Sequence, residues 1–138
     1  MTRFAVAAAC IALAACDVVT DRYGTVAQAR EDRLFERGWL PDILPASAVT
    51  IRVSNNLDLN TSEGEFSFTS TDFSPFSARL TAGAPPRAPF NDWHSFVQGK
   101  LNQGYIPGVF ERDGSTWVFV CHEKKGHCTY RMWPSSAG

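Results

Sequence analysis

The sequence predicts an α+β protein with a small antiparallel sheet of about five strands and two helices. The chain has 138 residues, of which 44% are hydrophobic, 12% aromatic and only 20% charged, so it carries enough apolar surface to fold as one domain. Two segments in the first half and three in the last third have the alternating polarity of strands. Short turns separate the last three, which predicts a C-terminal three-stranded antiparallel meander.

The chain begins with the layout of a secretory signal peptide, predicted over residues 1–15. Arg3 is followed by an apolar stretch without acidic residues, and this stretch is too short to span a bilayer. The cleavage region resembles a bacterial lipobox, with the sequence Leu13-Ala14-Ala15-Cys16. The resemblance implies that Cys16 receives a diacylglyceryl group and becomes the mature N-terminus, as in bacterial lipoproteins. The alternative is an ordinary signal peptide in which Cys16 is incidental.

A diacylated Cys16 implies a location at the cell membrane, facing the periplasm. Two acyl chains anchor a protein stably, whereas one chain binds only marginally. Asp17 follows Cys16 directly, and in enteric lipoproteins an Asp at this position favours the inner membrane. We expect residues 16–24 to form a short tether and residues 25–138 to form a single globular domain.

Two helices are predicted in the mature chain. The first covers residues 25–37, is rich in charged side chains, and has Thr25 as its N-cap and Gly38 just after its end. The second covers residues 91–101, where an Asn-Asp pair precedes a segment with apolar side chains on one side.

Five strands are predicted around these helices. Val49, Ile51 and Val53 alternate with polar residues, and Phe66 and Phe68 do the same after a polar loop, which indicates a hairpin. The other three strands are predicted in the last third of the chain. The sequence Asp113-Gly114, a strong turn signal, separates the first two, and a longer turn separates the second from the third.

A connector with two prolines precedes the first of these strands and contains Trp39, Leu40 and Ile43. The prolines exclude a regular helix or a central strand. Two interpretations remain open: a connector buried against the sheet, or a contact surface for a membrane or a partner protein. The buried connector is favoured, because exposed apolar patches are uncommon on folded proteins.

Cys121 and Cys128 are predicted to form a disulfide across a hairpin. At this spacing they pair directly, His122 faces His127, and Gly126 supplies a positive-φ turn position. Export to an oxidising compartment favours the bond. The alternative is a zinc site made by the two cysteines and the two histidines, all of which are zinc ligands by type. Adjacent strand residues point to opposite faces, which disfavours that convergence.

The function predicted from the sequence is that of a non-catalytic envelope component. The net charge of −1 argues against binding to nucleic acid. No catalytic residues are assigned because no nucleophile motif or phosphate loop is recognisable, and no enzyme activity or cofactor is predicted. Small uncharacterised bacterial envelope proteins resemble the chain over residues 34–60, beginning with the sequence LFERGWLP. The predicted partners are the membrane, through the lipid on Cys16, and another envelope protein. The alternative is a small-ligand or metal-binding periplasmic module.

Overall fold

A computed structural model of the chain describes residues 17–137. The predicted signal peptide and Cys16 lie outside the described residues. Within them, seven strands form one antiparallel sheet in the order β1-β2-β3-β7-β6-β5-β4. The strands are β1 (Val18–Thr25), β2 (Val49–Asn56), β3 (Thr61–Ser67), β4 (Thr81–Ala82), β5 (Ile106–Arg112), β6 (Ser115–His122) and β7 (His127–Pro134). The helices are α1 (Val26–Glu31), α2 (Phe73–Ser77) and α3 (Trp93–Asn102).

The prediction of a five-stranded sheet with two helices is wrong, because β1, β4 and α2 were missed. The segment interpreted as a tether contains all of β1 except Thr25. β1 pairs antiparallel with β2 from Val18 opposite Asn56 to Thr25 opposite Val49. Its residues look like a leader because β1 is an edge strand, and six of its eight positions are exposed. β4 has two residues, too few for an alternating pattern to be recognised.

The first helix is shorter than predicted. Thr25 is its N-cap as expected, with the Thr25 side chain accepting a hydrogen bond from the Gln28 amide at 3.2 Å. The helix ends at Glu31 because Arg33 adopts a left-handed conformation (φ 58°). The Leu34 amide then donates to the Ala29 carbonyl, and both of these side chains are fully buried. This is a Schellman ending with its hydrophobic contact, made here without the usual glycine.

The last three strands form an antiparallel meander. β5 and β6 are joined by the two-residue turn Asp113-Gly114, in which both residues have positive φ (52° and 77°), as a type I′ hairpin requires. β6 and β7 pair along their whole length. Both faces of β6 are buried from Thr116 to Cys121, so this hairpin forms the centre of the protein.

The larger core lies on one side of the sheet, which we call the connector face. It is covered by α1, α2 and the connector 34–48, and its centre is an aromatic group contributed by Phe66, Phe76, Phe119 and Tyr130. The other side, the α3 face, is covered over β5, β6 and β7 by α3 and the preceding loop. Its core residues are Trp93, Tyr105, Val118, Val120 and Trp133.

An ion pair between the buried Arg131 and the exposed Asp92 fixes the start of α3 to the sheet. The Arg131 guanidinium donates to both carboxylate oxygens of Asp92 at 2.6 and 2.9 Å and lies 4.0 Å from the ring centre of Phe96. Asp92 is at the N-cap position, but its side chain makes no cap hydrogen bond. The Arg131 hydrogen bonds are the main cause that lowers the pKa of the Asp92 carboxyl.

Candidate functional site

The β6–β7 hairpin places Cys121 opposite Cys128. Their Cα atoms are 4.1 Å apart and their sulfur atoms lie at disulfide distance. Both side chains are buried in the core of the connector face. The pair therefore joins two neighbouring strands inside the core, and Cys121 also lines a small cavity of about 110 Å³.

His122 and His127 also face each other across this hairpin, on the α3 face, where Tyr105 lies against both of them. The Tyr105 hydroxyl and His127 Nδ1 are 2.9 Å apart, and His122 Nδ1 accepts a hydrogen bond from the Lys125 amide at 3.2 Å. The ring centres of the two histidines are 5.4 and 5.8 Å from that of Tyr105. We call Tyr105, His122 and His127 the Tyr–His cluster.

Charged side chains surround the Tyr–His cluster. The Lys100 ammonium lies 4.7 Å from the ring centre of Tyr105, and Glu65 approaches His127 Nε2 at 3.9 Å. Burial is the main cause that lowers the pKa of His127 and raises the pKa of Tyr105. Both groups are therefore held in their neutral forms, and their hydrogen bond links β7 to the segment that leads into β5.

The lowered pKa of His127 makes the stability of the fold dependent on pH. Below the ordinary histidine pKa of about 6.5, the unfolded chain binds a proton that the folded chain resists, so the free energy of unfolding falls as the pH falls. We expect His127→Gln to lose less stability than the wild type between about pH 7.5 and pH 5. Urea unfolding at both pH values measures this.

His94 provides the matched control for this prediction, because its side chain is exposed on α3. His94→Gln is expected to keep the pH dependence of the wild type. An identical loss of stability at low pH in wild type and His127→Gln would show that His127 does not carry the effect.

The zinc alternative is not supported by the arrangement of its four residues. The cysteine sulfurs point to the connector face and contact each other, whereas the two histidines point to the α3 face and contact Tyr105. Within residues 17–137, no group of three or more His, Cys, Asp or Glu side chains is placed to hold a metal ion.

The predicted contact residues Trp39, Leu40 and Ile43 lie in the core of the connector face. Leu40 is completely buried and Ile43 is 7% exposed, while Trp39 is half-buried and its carbonyl accepts a hydrogen bond from the Trp117 indole at 3.0 Å. The segment is therefore a connector packed into the core.

The part of the α3 face over β1, β2 and β3 has a different character from the rest of the sheet. None of the α3-face core side chains in the described range comes from these three strands. Six polar side chains here are exposed or half-buried. We call this surface the open face, and its residues are Thr20, Arg22, Arg52, Ser54, Glu63 and Glu65.

Two arginines lie side by side on the open face. Arg22 and Arg52 are directly paired across β1 and β2, an arrangement of like charges that ordinarily destabilises a sheet. Arg52 approaches Glu65 at 3.6 Å, whereas Arg22 makes no ion pair with any residue in 17–137. A cavity of about 250 Å³ next to both arginines is also lined by Glu65.

One end of the sheet carries exposed apolar side chains beside Asp17, the first described residue. Val18 is 46% exposed, and Leu57 and Leu59, in the turn between β2 and β3, are 52% and 63% exposed. The Leu57 amide donates to the Asp17 carbonyl at 2.8 Å. We call Asp17, Val18, Leu57 and Leu59 the anchor end.

Three acidic side chains follow β2 in the sequence but do not converge on one site: Asp58 lies in the β2–β3 turn, and Glu63 and Glu65 lie in β3. Asp58 lies at the anchor end, where a hydrogen bond and the charge of Asp17 raise its pKa. Glu63 and Glu65 both lie on the open face and approach Arg131 and Arg52, respectively.

Sequence reasoning missed both the open face and the anchor end. Each depends on the pairing of β1 with β2, and β1 was interpreted as a tether. The sequence did contain one indication of β1. The strand begins with Val-Val-Thr, three β-branched residues that favour strands.

Comparison with known families gives a match for the N-terminal part of the described chain. Residues 17–67 match the family model of the YbbD head domain. This is a family of bacterial envelope proteins, which agrees with the resemblance given for residues 34–60. The matched range covers less than half of the chain and contains β1, α1, β2 and β3, so it includes both the open face and the anchor end. Neither the curated proteins nor the solved structures give a match to the chain.

Proposed function

We propose that this protein is a lipid-anchored, non-catalytic component of the cell envelope that binds another envelope protein through its open face. The anchor is the lipid on Cys16, implied by the lipobox sequence, and the domain faces the periplasm. The match of residues 17–67 to an envelope-protein family supports the location. No helix in the described range is long and apolar enough to cross a membrane.

The observation that carries this proposal is the pair of neighbouring arginines on an uncovered sheet face. Arg22 is exposed and lacks an ion-pair partner in the described range, and it faces Arg52 across the ladder. Two like charges in register cost free energy unless a ligand of opposite charge neutralises them. Glu65 already approaches Arg52 at 3.6 Å, so an acidic group on a partner would pair with Arg22, and charge complementarity of this kind contributes to the choice of partner.

Photo-crosslinking in living cells tests the proposal with the full chain. A photoreactive amino acid at Thr20, which is exposed on the open face, is expected to form an adduct with another envelope protein. The same amino acid at Gln98, which is exposed on α3, serves as the control and is expected to form no such adduct.

A charge reversal makes this test specific to the arginine pair. Arg22→Glu is expected to abolish the Thr20 adduct, because it replaces the free positive charge with a negative one. Arg87→Glu reverses an exposed charge in the loop before α3 and is expected to leave the adduct intact. An adduct that survives Arg22→Glu, or that forms equally from Gln98, would refute binding through the open face.

A further inference from the structure

The anchor end gathers apolar side chains that the fold leaves uncovered. Val18, Leu57 and Leu59 are among the large hydrophobic residues that remain about half exposed or more. Val18 and Leu59 also line a common cavity of about 220 Å³ with Pro89 and Phe90. Clustered exposed apolar side chains mark contact with a membrane or a partner.

The turn that carries the two leucines is held in place. Its first amide, at Leu57, bonds to the Asp17 carbonyl at 2.8 Å, and the Leu59 amide bonds to the Asn56 side chain at 3.1 Å. Val18 pairs with Asn56 across β1 and β2. The leucines are therefore presented from a fixed hairpin, and their position relative to Asp17 is set by the sheet.

The covalent chain identifies what covers this surface. Cys16 directly precedes Asp17, so their Cα atoms are about 3.8 Å apart. If Cys16 carries a diacylglyceryl group, its acyl chains enter the bilayer on the side of the domain where the turn lies. No tether separates Cys16 from the folded domain, because β1 begins at Val18.

We propose that the anchor end docks on the lipid bilayer, with Leu57 and Leu59 inserted into the interface beside the lipid on Cys16. This inference rests on the proposed lipid anchor and adds an orientation to it. The contact is apolar rather than electrostatic, because the charged residues of this end are the acids Asp17 and Asp58. The acyl anchor holds the turn at a high effective concentration next to the bilayer, so a small apolar contact suffices.

Docking places the Tyr–His cluster away from the membrane. The β2–β3 turn and the β6–β7 turn lie at opposite ends of the sheet, since Asn56 pairs with Thr61 at one end of β3 and Ser67 pairs with His127 at the other. The open face then runs along the side of the domain, with Arg22 and Arg52 directed into the periplasm. A partner reaches this face without competing with the bilayer.

The test uses the full chain, processed in bacteria and reconstituted into vesicles of phosphatidylethanolamine and phosphatidylglycerol. One variant, Leu59→Cys, carries an environment-sensitive fluorophore at the anchor end. The matched control, Lys124→Cys, carries it at an exposed position in the β6–β7 turn. The vesicles contain a spin-labelled lipid that quenches fluorophores at the bilayer interface.

The expected result is strong quenching of the label at position 59 and little quenching at position 124. Equal, weak quenching at both positions would overturn the docking inference, as would stronger quenching at position 124. Flotation of the same vesicles separates this failure from failure of the anchor. Protein that floats but is not quenched at position 59 leaves the anchor standing and refutes docking. Protein that does not float refutes the anchor and docking together.

Discussion

Replacing Cys16 with serine is expected to abolish the incorporation of labelled palmitate into this protein. The diacylglyceryl group is attached to the thiol of Cys16 in the proposed mechanism, and serine offers no thiol. The effect is complete rather than graded, because the lipobox Leu13-Ala14-Ala15-Cys16 contains one cysteine. Metabolic labelling of cells that express each variant, followed by purification of the protein, measures it.

Cys10 provides the control for this labelling experiment. It lies in the apolar part of the same signal sequence, so Cys10→Ser alters the segment without touching the proposed acceptor. We expect Cys10→Ser to incorporate palmitate as the wild type does. Label that persists in Cys16→Ser would show that the chain is acylated elsewhere or not through a lipobox.

Phe119→Ala is expected to lower the free energy of unfolding by about 3–5 kcal/mol. Phe119 is completely buried in β6, and its ring lies 5.2 Å from that of Phe76, 6.2 Å from Phe66 and 6.0 Å from Tyr130. These rings come from α2, β3 and β7, so they cannot collapse into the cavity together. The loss is a large fraction of the total stability of a typical domain.

Urea unfolding measures this loss as a fall in the midpoint at constant slope. Phe110→Ala, at a half-buried position in β5, is the matched control and is expected to cost clearly less. A similar cost for the two variants would contradict the placement of the main core between α2 and the central strands.

The parts of the fold that were predictable are those set by neighbours in sequence. The Asp113-Gly114 turn needs two residues with positive φ, and that pair of residues supplies them at low cost. The pairing of Cys121 with Cys128 follows from the register of the β6–β7 hairpin, because each residue before the turn pairs with the residue at the same distance after it. The N-cap at Thr25 likewise depends only on the residues beside it.

The parts that were not predictable depend on contacts between distant residues. β1 is a strand because Val18 meets Asn56 across the sheet, and its own exposed pattern does not distinguish it from a polar leader. The early end of α1 at Arg33 uses a left-handed arginine, whereas Gly38 offered the more usual signal for a helix end.

The candidate surfaces were hidden for the same reason. The open face exists because α3 covers only β5, β6 and β7, and no local pattern in residues 17–67 gives that boundary. Asn91 or Asp92 was expected to cap α3, but Asp92 at the N-cap position makes no cap hydrogen bond and pairs with Arg131 from β7 instead. Leu40 and Ile43 are buried, in the position that the favoured interpretation of the connector gave them.

Mass spectrometry of the mature protein purified from bacterial membranes tests the central claim of a lipid anchor most directly. The account predicts an N-terminal peptide that begins at Cys16 and carries the mass of a diacylglyceryl group, with residues 1–15 removed. An N-terminal peptide that begins at another residue, or one that begins at an unmodified Cys16, would contradict it.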